Sequence, residues 1–337
     1  MRAYRFGEFG LDNLKLESTD SPRPGPGEVL VDIKAISLNY RDLLVIKGLY
    51  NPKLKLPAVP LSDGAGVISA VGEGVERVRV GDRVTSHFVS GWIDGLFHGQ
   101  YVGTTLGLPK AGLAAEQVVL PAEAVVPIPG GYDFAQAATL PIAALTAWSA
   151  LVTKGQLAAG QTVLTLGTGG VAIFTLQFAK AMGATVIITS GSDEKLERAR
   201  QLGADHTINY RARPDWEKAV LEITDRAGVD LTVETAGGGT LDRSLAATRA
   251  GGTVALLGAL TGLKAQINVG LILMKELHVA GILVGSRAAF EAMNRFIEQH
   301  DVKPVIDRTF PFDQLPDALQ YMESGRHLGK IVVAAPA

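Results

Sequence analysis

A two-domain α/β fold is what this sequence predicts: a doubly wound parallel sheet set into a β-rich antiparallel domain that is discontinuous along the chain. Three observations carry the prediction. Up to about Pro129, short runs of Val and Ile alternate with polar residues and are cut by Gly, Pro and Asp, the texture of antiparallel barrels and sandwiches. From about Tyr132 helical and extended stretches alternate, with strands expected near Val163, Val186, Ile208, Leu231 and Val254. Strands at that spacing make right-handed βαβ units and a parallel sheet. The third is one turn, "TLGTGGVAIF" at 165–174, where a β-branched apolar run gives way to a helical pattern across three glycines.

In chain order, the β-rich part is read from "PRPGPGEVLVDIKAISL", "DGAGVISAVGEGV", "VRVGDRVTS" and "AEQVVLPAEAVVPIP". Within it "NYRDLLVIKG" reads as a helix capped by Asn39, with Asp42 tied to Arg41 or to the helix start. A helix is expected from Phe134 to Leu151, then the alternating strands and helices, then "LHVAGILVG" and a helix from Ala288 to Gln299. The final "IDRTFPFDQLPDALQYMESGRHLGKIVVAAP" reads as strand, helix and strand, a tail that fits the first domain better than it makes a third. The expected boundaries are 1–129 and 288–337 for the β-rich domain and 130–287 for the parallel sheet.

Composition narrows the function classes. With 337 residues, 47% of them hydrophobic, the chain has material for two packed cores. A net charge of -2 without any block of like charges argues against nucleic acid or an anionic membrane as partner, leaving small neutral or singly charged ligands. No apolar run is long enough for a bilayer and the first residues lack a secretory pattern, so a cytoplasmic address is expected. The absence of cysteine excludes disulfides, thiolate nucleophiles and Cys-built zinc sites.

The glycine turn points to a dinucleotide. In Gly167-Thr168-Gly169-Gly170-Val171-Ala172 the first glycine permits a tight turn, the second admits a pyrophosphate against backbone N–H groups, and Ala172 permits close helix–strand packing. The following helix N-terminus supplies partial positive charge. A site selective for NAD would place a carboxylate at the end of the next strand, about 20 residues on. That position is Ser190, followed by Ser192 and Lys195, with Tyr210 closing the third strand, a set suited to the 2′-phosphate of NADP. The alternative is that Ser192 and Asp193 merely begin a helix, with Lys195 in solvent.

Over nearly its whole length the chain resembles the medium-chain dehydrogenase/reductase superfamily, in particular its zinc-free, quinone-oxidoreductase-like branch. The likeness rests on "PGPGEVLVDIKAISLNYRDL", "LSDGAGVISAVGEGVERVRVGDRV", "AATLPIAALTAWSAL", "LTLGTGGVAIFTLQFAKAMGATVI", "LGADHTINY" and "GKIVV", in family order. It implies a GroES-like catalytic domain, a Rossmann cofactor domain and assembly as a dimer or tetramer, of which a homodimer is expected. Zinc members of the superfamily carry ligands in the segments matching Asn39, Ser62-Asp63 and Ile142, so the departures imply no metal. Zinc-free reductases commonly carry an Asn matching Asn39 and a Tyr matching Tyr50; these become catalytic candidates, with Tyr40 beside them. Their bland alternatives are a turn cap and edge packing. Further cofactor contacts implied by the resemblance are Thr146, Thr235 in "ETAGG", Gly258, Ala259 and Lys330, the last toward a phosphate.

The expected activity is NADPH-dependent hydride delivery to a quinone, an enone or a related α,β-unsaturated carbonyl. The rivals are NADP-dependent alcohol–aldehyde interconversion, and an NADPH-binding protein of structural or regulatory role with little turnover.

Overall fold

The structure, a computed structural model, describes residues 1–335. It begins with strands β1 (Arg2–Phe6), β2 (Leu14–Ser18) and β3 (Glu28–Ser37), helix α1 (Tyr40–Ile46), then β4 (Asp63–Val71), β5 (Arg83–Ser86), β6 (Gln117–Pro121) and β7 (Val125–Pro127). Two short helices follow, α2 (Phe134–Ala138) and α3 (Leu145–Trp148). The alternating region runs β8 (Thr162–Thr165), α4 (Gly170–Ala181), β9 (Thr185–Ser190), α5 (Asp193–Gln201), β10 (His206–Asn209) and α6 (Trp216–Ile223). It continues with β11 (Val229–Glu234), α7 (Leu241–Ala247), β12 (Thr248–Leu256), α8 (Val269–Lys275) and β13 (His278–Gly281). The last elements are α9 (Arg287–His300), β14 (Ile306–Pro311), α10 (Leu315–Glu323) and β15 (Lys330–Ala334).

The chain forms two compact units, residues 1–145 with the segment from Val284 onward, and residues 146–283. In the first, a seven-stranded sheet runs β14-β15-β3-β4-β5-β7 with β6 also on β3. Every pairing in it is antiparallel except β14 with β15. Along β3, Val29, Val31 and Ile33 are buried while Leu30 and Asp32 between them are less so, the period of two that one buried face demands. Phe312, Leu315, Leu319, Ile331 and Val333 share the core with Tyr4, Val31, Ile36 and Leu43, and β15 pairs with β3 so that Val332 lies opposite Ser37.

The second unit is a six-stranded, all-parallel sheet in the order β10-β9-β8-β11-β12-β13. Counted from β8, this is the order 3-2-1-4-5-6 of a Rossmann sheet, with the switch point, where such sheets open a ligand crevice, between β8 and β11. Helices cover both faces, so Val163, Leu164, Val186, Ile187, Ile188 and Val233 are all buried and the strands read as continuous apolar runs. The α/β class, the parallel sheet and the β-rich companion match the sequence prediction. No helix among the described residues is long and apolar enough to cross a membrane.

Two details differ from the sequence reading. The helix expected over 134–151 is broken into α2, a π-helical turn at Leu140–Ala144, α3 and a second π-helical turn at Ser149–Lys154. Pro141 lacks the N–H that an uninterrupted α-helix needs there. The units also divide at 145/146 and 283/284 rather than at 129/130 and 287/288. A change of texture at Tyr132 marks a change of element type; Ala137, Ala138, Leu140 and Ala144 nonetheless bury against the first unit, where Ile142 N–H meets Asp63.

Candidate active site

In the Rossmann unit, the turn after β8 is held from both neighbouring strands. Gly167 adopts φ 77°, which only glycine takes without strain. Its N–H donates to Thr189 Oγ1 at 3.3 Å, and Thr235 Oγ1 donates to the carbonyl of Leu166 at 2.6 Å. Thr235, expected at the cofactor, braces the glycine turn. A Cβ on Gly167 or Gly169 would meet nothing within 4 Å, so no neighbouring protein atom dictates those glycines; they keep open a space that a ligand can enter. Gly169 precedes α4 with no side-chain cap, leaving the N–H groups of Gly170, Val171 and their neighbours for an anion. Thr168 is buried within the turn.

At the end of β9, Ser190 Oγ accepts the Ser192 N–H at 3.3 Å, and Ser192 caps α5 through the Lys195 N–H at 3.4 Å. The Tyr210 N–H donates to the Ser190 carbonyl at 3.1 Å, fixing the start of the next loop against this turn. A Cβ on Gly191 would stand 2.8 Å from both Tyr210 Oη and Arg211 Nε. Ser190, Ser192, Tyr210 and Arg211 therefore surround one glycine. Arg211 was missed in the sequence although it directly follows Tyr210, because which of two neighbouring side chains turns toward Gly191 is set by the loop conformation after β10. Asp193, the nearest carboxylate, accepts from Asn209 Nδ2 at 2.7 Å.

Other expected contacts have local explanations. A Cβ on Gly258 would lie 1.6 Å from the Thr235 carbonyl oxygen, so this glycine is required by the close approach of the β11 and β12 ends. Ala259 follows it against Gly237. Buried Glu234, at the end of β11, accepts the N–H groups of Ala236 and Gly237 and the hydroxyls of Thr240 and Ser244, ordering the "ETAGG" loop. Thr146 is buried in α3.

The first unit holds a buried polar cluster. Asn39 ends the segment leaving β3 and is the N-cap residue of α1, as expected, its N–H donating to Asp42 Oδ2 at 2.8 Å. Its Oδ1 accepts from Lys330 Nζ at 2.7 Å, and Lys330 Nζ also donates to the Leu38 carbonyl at 2.5 Å. Lys330, which the resemblance implies reaches a phosphate, has its amino group buried within the first unit beside two acceptors and two carboxylates. Asn39 Nδ2 is buried and lacks a hydrogen bond of good geometry; the amide faces Asp63 and draws its carboxyl down against the larger rise from burial. Asp63 Oδ1 accepts from Ser62 Oγ at 2.9 Å and Oδ2 from the Ile142 N–H at 3.0 Å. Leu61, just before this pair, is held at φ 72°, an uncommon conformation for leucine, with its carbonyl bonded to the Leu113 N–H.

Burial raises the carboxyl of Asp63 against the charge of Lys330, and burial lowers the ammonium of Lys330 against Asp63 and Asp42. Asp42 is pushed up to about 7 by burial, against the charge of Arg41 and the Asn39 N–H. The folded state therefore holds the Asp42 proton more tightly than the unfolded chain, where the group titrates near 3.8. Its stabilising effect is complete below about pH 4 and is lost as pH rises to about 7, a change on the order of a few kcal/mol. Asp42→Asn keeps an oxygen for the Asn39 N–H and removes the titration. Its Tm should match the parent near pH 4 and exceed it near pH 8; a difference independent of pH would refute this.

Tyr50 and Tyr40 are about half-exposed. The Tyr50 ring centroid lies 4.8 Å from the guanidinium carbon of Arg41, which also faces Phe88 and donates to the carbonyls of Leu106 and Leu108. Tyr50 is thus a ring fixed on a cation, whereas Tyr40 has no such anchor given by the structure.

The side chains do not fit a zinc ion. The oxygen of Asn39 faces an ammonium, both oxygens of Asp63 are engaged, and Ile142 offers only a backbone N–H. Among the described residues no three His, Cys, Asp or Glu side chains gather as a metal set. The open glycine turn and the serine, tyrosine and arginine around Gly191 do fit a dinucleotide.

Comparison with known proteins agrees with this architecture. Residues 25–130 match the alcohol dehydrogenase GroES-like domain, and residues 170–299 match a domain described as zinc-binding dehydrogenase. The chain is 44% identical over 331 residues to a zinc-type alcohol dehydrogenase-like protein of Schizosaccharomyces pombe, covering 96% of each. It is 31% identical to a quinone oxidoreductase of Pseudomonas aeruginosa, again over 96% of each. The solved structure of an NAD-dependent alcohol dehydrogenase superposes with a TM-score of 0.90 at 35% identity, covering 100% of both chains. With both domains matched in order and relatives aligned along almost its full length, the chain belongs to the medium-chain dehydrogenase/reductase family of oxidoreductases.

Proposed function

We propose that this protein is an NADPH-dependent, metal-independent reductase of quinones, enones or other α,β-unsaturated carbonyls. The observation that carries the reading is the Asn39 carboxamide, held at its oxygen by Lys330 and left with an NH2 whose hydrogen bonding is incomplete, where zinc relatives are implied to carry a ligand. The turns at 167–171 and 190–192, with Tyr210 and Arg211, would hold the dinucleotide. Bound there, a reduced nicotinamide supplies the hydride. Asn39 donates to the carbonyl oxygen as negative charge develops on it, and the ring of Tyr50 offers a flat wall to a conjugated acceptor.

One neutral donor is a weak substitute for a metal, and this selects the substrate class. An unconjugated carbonyl concentrates charge on one oxygen, whereas an enone or a quinone spreads it into an enolate or a phenolate. Following NADPH absorbance against quinones, enones and simple aldehydes should show the highest kcat/KM on the conjugated acceptors, unchanged by chelators. Fast oxidation of simple alcohols, with no activity on any conjugated acceptor, would replace the reading by an alcohol dehydrogenase. Tight NADPH binding with no turnover at all would favour a binding role.

The active form is proposed to be a homodimer. Strand β13 ends its sheet with β12 on one side only, α8 beside it has no buried residue, and Leu273 and Met274 are 74% and 82% exposed. An unpaired edge next to exposed apolar side chains is a surface that a second copy can pair with. Sedimentation should give twice the 35.5 kDa chain mass, and Met274→Glu should shift it toward monomer. A parent protein that stays monomeric at micromolar concentration would exclude the dimer.

A further inference from the structure

We infer that Lys330 is the positioning residue of Asn39: its ammonium decides which end of the carboxamide faces the fold and leaves the NH2 end as the donor. This rests on the reading of Asn39 as the donor to the carbonyl oxygen.

The geometry begins with the backbone. Gly329, at φ 74°, passes so close to the Val305 carbonyl oxygen that a Cβ would stand 2.3 Å from it, and Lys330 follows at the start of β15. From there β15 is laced to the segment carrying Asn39. The Leu38 N–H donates to the Ile331 carbonyl at 3.0 Å, Ser37 Oγ donates to the same carbonyl at 3.2 Å, and Lys330 Nζ takes the Leu38 carbonyl. Leu38 is thereby gripped at both backbone groups, so the position of Asn39 is set by a strand almost 300 residues later in the chain.

The orientation of the amide then follows from chemistry. Lys330 Nζ donates to the Leu38 carbonyl and, 2.7 Å away, to the carboxamide oxygen of Asn39, so the acceptor end of the amide is the one that faces the amino group. The nitrogen is turned the other way. It carries two N–H bonds, of which Asp63 engages at most one, and no partner completes its hydrogen bonding. A donor to the amide oxygen also polarises the group and strengthens its N–H bonds as donors. A buried ammonium is an unfavourable filler, since an apolar side chain of similar size is often as stable or more so. Asp63 and Asp42 favour its charged form against the burial that lowers it, and its donors are used on Leu38 and Asn39.

The test is a double-mutant cycle with Lys330→Met and Asn39→Ala, read as kcat and KM on an enone and on the side-chain NH2 resonances of Asn39 in the cofactor-free, 15N-labelled protein. Lys330→Met should lower kcat about 10- to 100-fold with KM within about twofold, and should move the Asn39 NH2 resonances. In the Asn39→Ala background the same replacement should lower kcat by less than about threefold, because the group through which it acts is gone. Where Lys330→Met alone fails to fold, Lys330→Met with Asp63→Asn removes the buried charge pair together, and the cycle is run in the Asp63→Asn background. Losses that multiply, or Asn39 resonances that stay in place, overturn the positioning role while leaving Asn39 as the donor. Full activity of Asn39→Ala itself overturns the donor reading and this inference with it.

Discussion

Asn39→Ala is expected to lower kcat and kcat/KM on enones together, by about 100- to 1,000-fold, while leaving NADPH affinity unchanged. Removal of one preorganised donor to a developing oxyanion has an effect of that size, because the donor is aligned before charge appears and acts away from bulk water. Equal losses in the two constants identify an interaction made only in the transition state. Here the incompletely bonded Nδ2 and the Lys330 clamp on Oδ1 supply the alignment. Tyr50→Phe, by contrast, should chiefly alter KM, since its ring and not its hydroxyl is fixed over Arg41. Stopped-flow measurement of hydride transfer separates both from product release. An Asn39→Ala enzyme with unchanged single-turnover rate would remove Asn39 from the chemistry.

NADPH is expected to bind more tightly than NADH, with the difference located at the turn around Gly191. A charge-assisted hydrogen bond to a phosphate is worth about 1.5–3 kcal/mol, so Lys195→Ala and Arg211→Ala should each weaken NADPH by about 10- to 100-fold and barely change NADH. Ser190→Asp should act in the opposite sense on selectivity, repelling the 2′-phosphate while offering NADH a carboxylate for its ribose hydroxyls. Titration of intrinsic fluorescence with both cofactors measures this directly. Equal losses for NADPH and NADH in Lys195→Ala and Arg211→Ala would show that these side chains meet no 2′-phosphate.

The elements that the sequence made legible are those governed by local rules. The glycine at 167 is forced by its own φ, the parallel strands announce themselves as apolar runs because helices cover both faces, and β3 shows the alternation of a half-buried strand. The break at Pro141 was equally local and was overlooked because the apolar pattern of 134–151 continues through it. Thr235 and Gly258 were read as cofactor neighbours, yet their first duties are to the Leu166 carbonyl and to a backbone approach. A strand-end threonine or glycine has the same local appearance in either role.

The sequence by itself determined the fold class, the glycine turn between strand and helix and the absence of any thiolate, because each depends on residues within a short window or on composition alone. Tertiary structure decided where charge goes. Lys330 opens a strand in "GKIVV" and by resemblance points toward a phosphate; only the pairing of β15 with β3 carries it under Leu38 and Asn39, where carbonyl oxygens and carboxylates offset the burial of its amino group. Arg211 joins the β9–α5 turn through the conformation of the loop after β10, which brings it beside Gly191. Long-range strand order cannot be seen in a local pattern, and electrostatic energy in a low-dielectric interior depends on the few ångströms that this order sets.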